Sequence, residues 1–397
     1  MKLKIGSLFS GIGGLDMAVE EHFQAETVWH CEFDPEPSKV LAAHWPGVPN
    51  LGDITLVDWS TVEPVDIICG GSPCQDVSAA GPRTGMVEGT RSNLWVQMRE
   101  AIAYLKPSVV IWENVRGALS AYAFSSVESD PGLLGEHGPD RPALRAVGRV
   151  VGDLSALGYD AVWTTVPASD VGAPHKRERV FVLAYARGLR LGEGWDAASR
   201  QAAGWWASAV TGGRGRAPVE LLPTPDASNA NDGEQLDTWL DRRERVKAKG
   251  INGNGMGMPL AIAALTLLPT PRASRGASST EIMYALGAEW SDEGDAQGNV
   301  TGRVAWNEYE PAIRRWEAVT RPAPAPTRPD GKNGRHRLSP LLPEWMMGYP
   351  LGWVTDIIAR EPAIKACGNG VVPQQALHAI RANWARAAVH LRGEKAA

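Results

Sequence analysis

At 397 residues, 44% hydrophobic and 21% charged, the chain has room for one large unit plus a second and the balance of an ordinary water-soluble protein. No run approaches the roughly 18 uninterrupted apolar residues of a membrane span, no apolar leader opens the chain, and none of Cys31, Cys69, Cys74 and Cys367 forms a CxxC pair. A membrane protein, a disulfide scaffold and a metal site are therefore disfavoured, and a cytoplasmic location is expected. The net charge of −5 is uneven: residues 16–66 hold eleven acids against Lys39 alone, residues 171–190 five bases and one acid, and residues 312–337 seven bases and two acids. A locally basic face on an acidic chain remains compatible with phosphate binding.

Lys4–Phe9 reads as a strand and Leu15–His22 as a helix. Between them, Phe9-Ser10-Gly11-Ile12-Gly13-Gly14 is a glycine-rich turn whose backbone can pass close to a ligand. A second strand, Val28–Glu32, ends on a carboxylate placed to accept from ribose hydroxyls. The helix Pro35–His44 follows, and then Pro49-Asn50-Leu51-Gly52-Asp53, where Asp53 is positioned to receive an exocyclic amine.

Val65–Cys69 is a buried strand that breaks into Gly70-Gly71 and then Ser72-Pro73-Cys74-Gln75. A thiol just past such a strand sits on an open loop at the ligand edge, where amides or a helix start lower its pKa; Cys74 is the candidate nucleophile. The other three cysteines read as buried structural thiols. After the helix Trp95–Leu105, the strand Ser108–Glu113 closes on an acid expected on the same rim as Cys74. Burial is expected to keep Glu113 partly protonated, as suits a donor to a ring nitrogen. Val162–Pro167 and Arg179–Ala184 read as a pair of strands. Strands alternating with helices predict an α/β fold with a mostly parallel sheet.

From residue 188 the texture changes, with frequent Gly, Pro, Trp and Arg. Leu221–Ser228 and Leu267–Ser274 are near-copies built on Leu-Leu-Pro-Thr-Pro, and Arg321–Thr327 reads as an extended proline linker. Arg242, Arg243, Arg245, Lys247 and Lys249 are either a phosphate track or a helix's solvated face. Helical texture returns after residue 340, with Gln374–Leu391 as a closing helix.

Together these residues resemble the DNA cytosine-5 methyltransferase family, with motifs in family order from Leu8 to Pro373. Phe9–Gly14 resembles the first motif, Pro73-Cys74-Gln75 the catalytic loop, and Glu113-Asn114-Val115 the acid motif. Ala173–Arg179 resembles the Gln-x-Arg-x-Arg element, with His175 in place of Gln. Arg91-Ser92-Asn93-Leu94-Trp95 departs from the family's Arg-Ser-Gly-Leu-Phe. Arg337–Pro340 with Met347–Pro350, and Gly368–Pro373, resemble the last motifs.

The resemblance implies a Rossmann-like S-adenosylmethionine-dependent methyltransferase sheet with an inserted, smaller target recognition domain. Residues 1–187 plus 338–397 are expected to form the catalytic part and 188–337 the recognition domain. The implied reaction moves a methyl group from S-adenosylmethionine, with no metal, to carbon 5 of a cytosine flipped out of duplex DNA. Cys74 and Glu113 are the implied catalytic pair, Arg177 holds the base carbonyl and the loop, and Arg179 is a structural or phosphate partner. Phe9, Ser10, Gly11, Ile12, Gly13, Gly14, Glu32, Phe33, Asp53, Ile54, Pro73, Asn369 and Val371 are the implied co-substrate contacts. Gln75 and Ser78 on the loop are expected to touch phosphate or fill the gap. A restriction–modification or phage-protection role, a cognate endonuclease partner and a monomeric state are expected. An RNA cytosine-5 methyltransferase and a non-catalytic DNA-binding relative are the alternatives, with a nicotinamide-dependent Rossmann enzyme a weaker third.

Overall fold

Apolar runs that end in glycine or an acid become the parallel strands of one sheet. The computed structural model describes residues 2–72, 94–119, 122–123, 144–190, 195, 221–225, 234, 236–248, 258–266, 306–331 and 336–391. Six strands build the sheet: β1 (Lys4–Leu8), β2 (Glu26–Cys31), β3 (Ile67–Gly70), β4 (Val109–Val115), β5 (Tyr159–Pro167) and β6 (Glu178–Ala186). Their order is β2-β1-β3-β4-β6-β5. β1 to β4 run parallel, and β6 is antiparallel to both of its neighbours. The sheet is therefore mostly parallel, as the alternation of strands and helices predicts.

The chain leaves β1 towards β2 on one side and returns to β3 on the other, so the strand order reverses between β1 and β3. In open α/β sheets, ligands gather at the carboxyl ends of strands beside such a point. The register aligns those ends: Leu8 pairs with Cys31 and with Gly70, and Gly70 pairs with Trp112.

The central strands are apolar without alternation because both faces are covered. Val109, Val110, Ile111 and Trp112 are all fully buried. The helices are α1 (Gly14–Phe23), α2 (Pro35–His44), α3 (Leu94–Leu105) and α4 (Ala146–Ala156). α3 buries Trp95, Met98, Ala101 and Ile102, the three-and-four spacing of one helical face. The long helix Pro373–Leu391 fixes itself to the reversed part of the sheet with polar side chains. Gln375 Nε2 donates to Val166 O (2.6 Å) and Asn383 Nδ2 to Phe181 O (3.1 Å). No helix among the described residues is long and apolar enough to cross a membrane.

The chain divides into two compact units, 1–167 with 178–204 and 373–397, and 168–177 with 205–372. The boundaries differ from the sequence expectation, because residues 338–372 belong with the second unit. The reason lies in Glu344, a fully buried carboxylate. It accepts from the backbone amides of Gly352, Val354 and Thr355, each at 2.9 Å, and lies 3.4 Å from Arg321. Trp316 Nε1 donates to Trp345 O and Trp345 Nε1 to Arg321 O, both at 2.8 Å.

The proline run at 321–327 is thus not a free linker. Pro324, Pro326 and Thr327 are buried, and Thr327–Arg328 pairs antiparallel with Arg337–Leu338. Of the two Leu-Leu-Pro-Thr-Pro copies, the described part is 221–225, where Leu222 N donates to Pro174 O (2.8 Å); the second copy lies outside the described residues.

Candidate active site

Four loops and strand ends of the first unit meet at the carboxyl edge of the sheet. The first is the turn after β1. Phe9, Gly11 and Gly13 have φ of 53°, 56° and 81°. Such values are cheap for glycine and strained for phenylalanine. Gly13 also has no room for a side chain, since a Cβ there would lie 2.4 Å from the Trp45 ring. Ser10 Oγ donates to Ser7 O (3.1 Å), which closes the turn.

The second element is the end of β2. Glu32 accepts from Gly11 N through Oε2 and from Asp34 N through Oε1, both at 2.8 Å. Burial pushes its carboxyl above the usual range, and these backbone donors pull the other way. Asn50 fixes the main chain of Glu32 from both sides, accepting from its amide (2.9 Å) and donating to its carbonyl (3.1 Å). Phe33 beside it is 75% exposed.

Asp53 comes next, as the cap of a 3-10 turn over Ile54–Leu56. Its Oδ1 accepts from Thr55 N (3.0 Å) and Thr55 Oγ1 (2.8 Å), while Oδ2 is engaged by no described residue. Ile54 is buried behind it.

The fourth element joins β3, β4 and β6. Glu113 is 8% exposed, and its Oε1 lies 3.1 Å from Arg179 Nε. The register explains the pairing: Glu113 faces Phe181 across β6, and Arg179 is two residues away on the same face. Glu113 thus has a guanidinium neighbour as well as the apolar strand that the sequence shows. Gly71 passes so near that a Cβ on it would be 2.8 Å from Glu113 Oε2. The next residue, Ser72, is held by β4: Trp112 Nε1 donates to its hydroxyl (3.0 Å) and Asn114 Nδ2 to its carbonyl (3.2 Å). Pro73, Cys74, Gln75 and Ser78 follow and lie outside the described residues.

Arg177 belongs to the second unit and is engaged differently. Its Nη1 donates to Pro225 O (3.2 Å) and its Nη2 to Gly368 O (3.0 Å) and Gly370 O (2.5 Å). His175 is buried, with Nε2 3.0 Å from Met346 O. Asn369 ends the helix Arg360–Asn369, and Val371 O accepts from the Tyr349 hydroxyl (2.7 Å); both are in the second unit. The structure thus gathers Phe9–Gly14, Glu32, Phe33, Asp53, Ile54, Glu113 and Arg179 on one edge of the first unit. Ser72, Gly71 and Asn50 were not singled out from sequence. The signal for Asn50 was its side-chain type: an amide can both donate and accept beside a strand end.

The model of the C-5 cytosine-specific DNA methylase family matches residues 3–383. The chain belongs to that family. Among curated relatives, the chain is 32% identical over 197 residues to the Type II methyltransferase M.NgoFVII of Neisseria gonorrhoeae, covering 49% of this chain and 46% of that protein. It is 29% identical over 189 residues to the Type II methyltransferase M.HhaI of Haemophilus parahaemolyticus, covering 48% and 51%. It is 34% identical over 220 residues to a protein of Escherichia phage P1 named DNA N-6-adenine-methyltransferase, covering 47% of this chain and 29% of that protein. The chain spans about half, or less, of the length of these relatives.

Proposed function

We propose that the protein transfers the methyl group of S-adenosylmethionine to carbon 5 of a cytosine flipped out of duplex DNA, with Cys74 as nucleophile, in a restriction–modification or phage-protection setting. The observation that carries this reading is the Glu113–Arg179 pair, 3.1 Å apart at the rim beside Gly71 and Ser72, where the chain runs on into Pro73-Cys74-Gln75.

Carbon 5 of cytosine is a weak nucleophile. Addition of the Cys74 thiolate to carbon 6 makes the ring enamine-like, and covalent catalysis then replaces one hard step by easier ones. Glu113 engages ring nitrogen 3, holding or donating the proton that balances the added negative charge. Arg179, beside Glu113, is the guanidinium suited to the base carbonyl, and Arg177 is suited to bracing the backbone at Gly368 and Gly370. Loss of the carbon-5 proton and expulsion of the Cys74 thiolate restore the ring.

The residues at the β1–β2 edge fit an adenosyl donor. The Glu32 oxygens keep lone pairs for ribose hydroxyls after accepting from Gly11 and Asp34, Phe33 offers an open aromatic face, and Asp53 Oδ2 is available to an amine. When bound, S-adenosylmethionine supplies an electrophilic methyl group. The name of the phage P1 relative refers to an adenine amine. Methylation of an exocyclic amine gives a thiol nothing to do, so Pro73-Cys74-Gln75 favours carbon 5.

DNA carrying 5-fluorocytosine tests the reading, because fluorine blocks the final proton loss. Wild-type protein with S-adenosylmethionine should give a denaturation-resistant complex that Cys74→Ser does not form. Equal behaviour of the two proteins would overturn the nucleophile, and label entering transfer RNA but not duplex DNA would overturn the substrate.

A further inference from the structure

Beneath the edge just described lies a polar row that no catalytic step uses. Asp16, in the first turn of α1, and His30, on β2, are 0% and 1% exposed, with Nδ1 and Oδ1 3.3 Å apart. Among the described residues, neither Asp16 oxygen nor either ring nitrogen of His30 has a hydrogen-bond partner. Ser7 on β1 pairs with His30 on one side and Cys69 on the other, so the pair lies one residue before the strand ends. Trp45 stands over it, 5.2 Å from the His30 ring, and its Nε1 donates to Glu20 Oε1 (2.9 Å). The same Trp45 ring is the one that excludes a side chain at Gly13.

A polar pair taken wholly out of water, with its polar atoms left without hydrogen bonds, returns little stability. Apolar replacements of such pairs are often neutral or stabilising. Stability alone therefore does not account for this pair, but its connections do. α1 begins at the Gly11–Gly14 turn, whose Gly11 amide donates to Glu32. The His30 amide donates to Pro49 O (2.9 Å) and its carbonyl accepts from Leu51 N (2.7 Å), which sets the segment leading to Asp53.

We propose that Asp16 and His30 are positioning residues for the methyl donor: their buried contact locks the glycine turn, Glu32 and the Asp53 segment into one fixed arrangement. The proposal rests on the reading that this edge holds S-adenosylmethionine. It touches no reacting atom, so it acts on donor affinity rather than on the chemical step.

The test measures S-adenosylhomocysteine binding and steady-state methyl transfer with the full chain. Asp16→Asn and His30→Gln should each weaken binding about tenfold, and the double variant should be no worse than either single one, since both break one contact. KM for the donor should rise in step while kcat at saturating donor stays near the wild-type value. Asp16→Leu with His30→Met separates structure from positioning: it should melt no lower than wild type yet still bind weakly. Normal binding by the folded variants, or a fall in kcat with KM unchanged, overturns the proposal. The wild-type chain gives a further check without substitution. S-adenosylhomocysteine should slow amide exchange at Gly11 and Leu51 together, and protection of Gly11 alone overturns the lock. If wild type binds no S-adenosylhomocysteine, the failure belongs to the donor-site reading instead.

Discussion

Glu113 and Arg179 reach each other because antiparallel strands place residues two apart on the same face. Arg177 is only two positions earlier, yet its donors go to the carbonyls of Pro225, Gly368 and Gly370. The two arginines should therefore fail differently. Glu113→Gln and Arg179→Lys should each lower kcat by about 100-fold or more while S-adenosylhomocysteine affinity stays within about twofold, because a positioned acid or charge acts on the transition state. Arg177→Lys loses the planar fork that serves three carbonyls, and should lower unfolding stability by about 1–3 kcal/mol. Paired assays of turnover and urea midpoint on the three variants decide it. A turnover loss in Arg177→Lys without a stability loss would return the base-holding role to that residue.

At the scale of elements, Glu344 shows how one side chain can tie a segment together. It is an acid with three backbone donors and one guanidinium, all supplied within the second unit. Glu344→Ala leaves those donors and Arg321 without their acceptor, and should destabilise the protein by about 3–5 kcal/mol, read from the urea midpoint. A loss under about 1 kcal/mol would mean that water or neighbouring groups replace the carboxylate fully.

This contact was not legible in the sequence, since its partners are amides eight to eleven residues away and any residue type supplies an amide. The strands were legible for the opposite reason. A run such as Val109-Val110-Ile111-Trp112 declares a strand covered on both faces, and Pro35 after the cap Asp34 declares the start of α2. The helix Leu236–Ala248 gives no such signal, because Trp239 is its one buried side chain among the described residues and most of the rest are charged or polar. The site follows the same division. Glycines and acids at strand ends announced the edge, whereas which arginine meets Glu113 depended on register, and the Asp16–His30 contact joins residues fourteen apart that carry no motif.

At the scale of the molecule, among the described residues, charge is arranged for internal pairing more than the basic runs imply. In the run 312–337, Arg314 pairs with Glu310 and Glu317, Arg321 with Glu344, and Arg337 with Asp330, which also meets Arg360. In the helix Leu236–Ala248, Arg242 pairs with Glu234 and Lys247 with Glu244. Fewer of these charges remain for phosphate than the sequence count suggests. The first unit carries a pH liability of its own. His22, on α1, packs against Phe23 and against Trp384 of the long helix, at centroid distances of 4.5 and 6.2 Å. Burial lowers its pKa to about 3, with the Arg381 charge adding to the shift. A base whose pKa falls on folding takes up its proton in the unfolded chain first, so stability is complete above the ordinary value of about 6.5 and is lost as pH falls from there towards 3. At pH 5 the loss from this group is about 2 kcal/mol. His22→Phe keeps an aromatic ring in the same cluster and removes the proton site. Its melting temperature should fall less between pH 7 and pH 5 than that of wild type, and parallel curves for the two proteins would place the acid sensitivity elsewhere.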